Sequence, residues 1–105
     1  MSRQRNKNIK KKPCSIKLFG HTISIEVMSQ ELSAFGDAWG MWIPGENRIL
    51  LRQGMCNSMI KETLLHEIIE AINSLAALDM PHHCIQILAL GIFEALSSDL
   101  LSDLQ

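Results

Sequence analysis

Near Asn57 the apolar residues stop recurring at every second position and begin to recur at every third or fourth. That change divides the chain into a strand-forming part followed by a helix-forming part. Upstream, "SIKLFG" and "HTISIEVM" alternate around Gly20 and His21, which predicts a tight hairpin. The stretch from about Met28 to Asp37 is polar and irregular. A second hairpin is predicted where "DAWGMWI" and "NRILLR" flank "PGEN", with Pro44 and Gly45 supplying the turn chemistry.

Downstream, Ile60, Leu64, Leu65, Ile68, Ile69, Ile72, Leu75 and Ala76 build one wide apolar face through about Leu78, with Asn57 or Ser58 as the expected N-cap. "LDMP" interrupts the period, placing Asp79 as a cap and Pro81 in the first turn of a last helix. Its stripe is Ile85, Leu88, Ala89, Ile92, Phe93 and Leu96, after which "SSDLLSDLQ" frays or continues weakly. Strands first and helices second give an α+β class: a small antiparallel sheet of three or four strands followed by two helices.

A chain of 105 residues suffices for one small domain and not for two. Seven of the ten Lys and Arg fall within the first seventeen residues, whereas all eleven acids follow residue 25, so that a +7 segment precedes a −8 remainder. Residues 1–14 are accordingly expected to form a basic flexible tail, and 15–105 the domain. Any nucleic-acid binding is expected through that tail alone, because the domain is acidic. Cys14, Cys56 and Cys84 are odd in number and lack CxxC spacing, which favours a reducing, cytoplasmic setting over a disulfide framework. No apolar segment follows the basic stretch and no run reaches membrane-spanning length, so neither secretion nor membrane insertion is expected.

At 100° per residue, Glu62, Asn73, His66, Glu70, Thr63, Ser74 and Glu67 fall within an arc of roughly 140° on the first helix. A plain solvated face looks the same. His66 and Glu70, however, stand one turn apart, the spacing two ligands need to reach one metal from a rigid helix. Glu67, beside the first ligand, can reach a water at that metal, which is the geometric content of HExxH with Glu in the second ligand position. A third ligand has four candidates after the helix break: Asp79, His82, His83 and Cys84. Phase favours His82, which shares the stripe of Ile85, Ala89, Ile92 and Leu96, whereas His83 runs with Ile87, Leu90 and Glu94.

From Ile16 to Leu96, the order "IKLFGHTISIEV", "WGMWIPGENRILLR", "TLLHEIIEAIN" and "LDMPHHCIQILALGIFEAL" resembles short phage and prophage proteins with a minimal zincin fold, akin to ImmA/IrrE and SprT-like metallopeptidase domains. Thr63, Leu64, Leu65, His66, Glu67 and Glu70 match the helix motif of that group, His82 with Ile85 its second element, and "GIFE" from Gly91 stands where "GLYQ" is usual. The resemblance implies zinc held by His66, Glu70 and His82, with Glu67 as general base. It further implies a zinc-dependent peptide hydrolase acting on a protein or peptide, or else a non-catalytic zincin-fold module that docks on a host or phage protein. Glu70 replaces the more usual second His, and Phe93 with Glu94 replaces the polar pair ending the motif.

Trp39 and Trp42 are three residues apart on an alternating strand and therefore point to opposite faces, so at most one packs in the core. If that strand is an edge beside the metal, it can pair with an extended peptide, with the exposed Trp against it.

Overall fold

A computed structural model describes residues 14–29 and 36–98. The expected tail up to residue 13, most of the irregular stretch after Met28 and the end of the C-terminal segment lie outside the described residues. The elements run β1 (Cys14–Leu18), β2 (His21–Met28), β3 (Gly40–Ile43), β4 (Arg48–Arg52), α1 (Asn57–Leu75) and α2 (His82–Ser97). This is the α+β arrangement of four strands followed by two helices. Cys14, placed by sequence in the tail, opens β1. No described helix is long and apolar enough to cross a membrane.

The strand order is β1-β2-β4-β3. β1 with β2 and β3 with β4 are antiparallel hairpins, but β2 and β4 run parallel, with Ile25 opposite Ile49 and Val27 opposite Leu51. The sheet is thus mixed, where alternation had suggested a purely antiparallel one. The reason lies in β4: Ile49, Leu50 and Leu51 are all buried. A strand buried on both faces belongs inside a sheet, so β4 takes the place beside β2 and sends β3 to the outer edge.

The first turn is Phe19–Gly20, one residue earlier than expected, and His21 pairs with Leu18. Both turn residues have positive φ, 52° and 83°, as a two-residue turn matched to strand twist requires.

α1 lies across one face of the sheet. Ile23, Ile49 and Leu51 form the buried centre of that contact, with Trp42, Ile60, Leu64 and Ile68 packed around them. A second cluster of Ile69, Ile85 and Ala89, flanked by Leu65 and Met80, joins α1 to α2.

The helix starts differ from the expected caps. Cys56, and neither Asn57 nor Ser58, is the N-cap of α1, without a side-chain cap bond. Pro81 is the N-cap of α2, and its carbonyl accepts from the N–H groups of Cys84 and Ile85 at 3.0 and 3.3 Å. Asp79 does not cap: it sits in the inter-helix turn with φ of 59°. α1 ends three residues before Leu78 in a Schellman pattern, in which Leu78 N–H donates to Asn73 O (3.1 Å) and Ala77 N–H to Ser74 O (3.3 Å).

Candidate metal centre

α1 turns its polar arc toward the groove between β3 and α2. His66 and Glu70 meet there at 3.3 Å, Nε2 to Oε2. The same carboxylate oxygen lies 3.0 Å from Nδ1 of His82, which arrives as the first residue of α2. The two imidazoles are 5.1 Å apart between centroids, edge to face at 61°. One donor atom from each of His66, Glu70 and His82 falls within 4.8 Å of the others.

Of the four candidates for the third ligand, the fold brings in His82 and leaves the rest aside. His83 Nε2 lies 3.8 Å from Cys84 Sγ, and neither residue, nor Asp79, belongs to the converging group. Phase explains the choice: Ile85 and Ala89, which share the stripe of His82, are the α2 residues buried against α1.

Two imidazoles and a carboxylate, with Glu70 Oε2 3.3 and 3.0 Å from the two rings, make a group that could hold a metal ion. Among the described residues, the surrounding cleft, about 660 Å³, is lined by Asp37, Glu62, Glu67 and Glu70 and by no Lys or Arg. Its field therefore favours a cation.

Glu67 occupies a different environment from Glu70. It is 8 % exposed, the one buried charged residue among those described. Burial, and then the charge of Glu70, push its carboxyl up to about 7, while the backbone N–H of Trp42 donates to it and pulls the other way. A carboxyl poised near neutrality at the inner wall of a cleft can both accept and return a proton at ordinary pH.

Gly40 makes this burial possible. A Cβ there would stand 2.7 Å from Thr63 Cγ2, 3.1 Å from Glu67 Cγ and 3.3 Å from Leu51 Cδ2. Only a residue without a side chain lets β3 lie this close to α1, directly over Glu67. Side-chain period does not mark Gly40, although a glycine inside the strand "AWGMWI" is the usual sign of a close backbone approach.

Trp39 lies just before β3, not on it as the alternation expects, and both tryptophans line the cleft. Trp42 packs on the core cluster, with its indole N–H buried and unpartnered. Trp39 is 38 % exposed, lines the cleft and carries the Arg52 guanidinium 5.1 Å from its ring centroid.

No protein-family model, curated protein or solved structure matches the chain.

Proposed function

We propose that this chain is a small zinc-dependent hydrolase of peptide bonds, of the phage-type minimal-zincin kind that its motifs resemble. The observation that carries the reading is the convergence of His66, Glu70 and His82 beside a buried Glu67 in one open cleft. His66, Glu70 and His82 would hold the metal; zinc, when bound, supplies Lewis-acid polarisation of a carbonyl and acidification of water.

The chain's own groups account for the rest. Glu67 takes a proton from the attacking water as its oxygen adds to the scissile carbonyl carbon, and passes that proton to the amine nitrogen as the C–N bond breaks. β3 is an outer strand of the sheet. Because Trp39 O accepts from Arg52 N–H, alternation turns the main-chain groups of Gly40 and the carbonyl of Trp42 away from β4, while the Trp42 N–H already donates to Glu67. An extended peptide pairing there would lie along the cleft, past Trp39. Three free thiols suit a reducing, cytoplasmic setting.

Metal analysis of untagged protein tests the reading. About one zinc per chain is expected, lost in His66→Ala, whereas Glu67→Gln keeps the metal and abolishes peptide cleavage. Protein that takes up no zinc after dialysis against it would sink the proposal.

One observation favours a second reading, a metal-bearing scaffold that docks on a host or phage protein without cleaving it. The His82 side chain is 69 % exposed, so the centre is open on that side. A stoichiometric partner whose binding is indifferent to Glu67→Gln, with no cleavage by the wild type, would select this alternative.

A further inference from the structure

The link that carries His82 to the metal centre is short and conformationally costly. Between the end of α1 and the start of α2 the chain reverses through Ala77 and Asp79, both with positive φ, 52° and 59°. Outside glycine this region costs about 1–2 kcal/mol per residue, less for Asp, whose side chain tolerates it. Such a turn persists only where surrounding contacts hold it.

At Ala77 they are the backbone bonds of the Schellman pattern; at Met80 they come from the Asn73 side chain. Asn73 Oδ1 accepts from the Met80 backbone N–H at 2.8 Å, and Asn73 Nδ2 donates to Met80 O at 3.3 Å. The side-chain amide thus pairs with both main-chain groups of Met80 as a second strand would. The Asn73 carbonyl also accepts from Leu78 N–H. Asn73 stands on the same polar arc as His66 and Glu70, three residues beyond Glu70, and Met80 lies two residues before His82.

We infer that Asn73 is the positioning residue of the metal centre: by clamping Met80 it fixes where α2 begins and holds the His82 imidazole over Glu70. This inference rests on the metal reading proposed above. Asn73 touches none of the three ligands in the hydrogen bonds and ion pairs among the described residues; it acts through the backbone of the loop. Met80 also packs against the Ile69, Ile85 and Ala89 cluster, so the clamp ties the loop to the same contact that sets the rotation of α2. Groups that hydrogen-bond a ligand directly are worth about 10- to 100-fold in metal affinity; Asn73 acts one step further out, through the Met80 backbone, so the smaller end of that range is expected.

The test compares wild type, Asn73→Ala, Asn73→Asp and His82→Ala for zinc affinity, by competition with a chromophoric chelator, and for the visible spectrum of the cobalt(II)-loaded protein. Circular dichroism and thermal unfolding of the metal-free proteins monitor the fold. Asn73→Ala is expected to bind zinc about 10-fold more weakly, the lower end of what loss of a directly bonded partner costs, with a cobalt spectrum shifted toward that of His82→Ala. Asn73→Asp keeps the acceptor for Met80 N–H but sets a carboxylate oxygen against Met80 O; it is expected to bind zinc more weakly than wild type yet more tightly than Asn73→Ala, and it carries the test should the alanine variant fail to fold.

Wild-type affinity and spectrum in Asn73→Ala would overturn the role of Asn73 while leaving the metal reading intact. So would equal weakening in Asn73→Asp and Asn73→Ala, since the retained bond would then do nothing. Absence of zinc binding by the wild type would overturn the metal reading, and this inference with it.

Discussion

Nδ1 of His82 lies 3.0 Å from Oε2 of Glu70 although twelve residues separate the two in sequence, and this contact joins the N-terminus of α2 to the middle of α1. The helices are otherwise held by the small cluster around Ile69, Ile85 and Ala89. A metal shared by His66, Glu70 and His82 would therefore act as a cross-link between them.

Zinc is expected to raise the unfolding temperature for this reason. At a free concentration one hundred times its dissociation constant, stabilisation should be about 2.7 kcal/mol. His82→Ala should lose most of this increment and His83→Ala should keep it, because His83 is outside the converging group. Differential scanning fluorimetry with and without zinc reads both. Equal zinc shifts in the two variants would contradict the assigned ligand set.

The metal-free protein should become less stable as pH rises through the range from 4.5 to about 7. Glu67 has an ordinary value of 4.5 and is pushed up to about 7 in the folded chain. Within that window the folded state binds more protons than the unfolded one, so the contribution is full at acid pH and lost as Glu67 ionises. The difference is on the order of 2–3 kcal/mol, and Glu67→Gln should remove it. Urea unfolding of chelator-treated protein at pH 5.5 and pH 8, for wild type and variant, measures the effect.

Gly40→Ala is expected to destabilise the fold by about 1–3 kcal/mol through overpacking. The added methyl would meet Thr63 Cγ2 at 2.7 Å. Thr63→Ser deletes that methyl, so the double variant should recover part of the loss, a coupling that a double-mutant cycle of unfolding free energies quantifies. Strict additivity would show that Thr63 is not what Gly40 makes room for.

Much of the architecture could be read from side-chain period, and the parts that could not have identifiable causes. The hairpins followed from alternation and the helices from their apolar faces. The parallel pairing of β2 with β4 did not, because the three consecutive apolar residues Ile49, Leu50 and Leu51 were read as part of an alternating hairpin instead of as an interior strand. At the site, His66, Glu67 and Glu70 were visible from spacing and His82 from the phase of α2. Gly40 carries no periodic signal, and Asn73, though it falls on the polar arc, gives no sign there of its role, because both contributions are made to backbone. A missing Cβ and an amide that pairs with Met80 leave no periodic trace. The helix caps were misplaced by a residue or two for a related reason: Asn57 and Ser58 are good capping types, yet the chain bends at Cys56.

The division of labour around the cleft has a consequence for the order in which it assembles. All three prospective ligands lie within residues 66 to 82, on two consecutive helices joined by one turn, so their meeting requires only short-range chain closure. Glu67 acquires its burial and its Trp42 contact from β3, a strand whose place depends on the parallel β2–β4 pairing across the sheet. Non-local pairings of this kind are the slow ones. On refolding, His66, Glu70 and His82 can thus meet before Glu67 is buried, so the group proposed to hold a metal does not wait on the sheet.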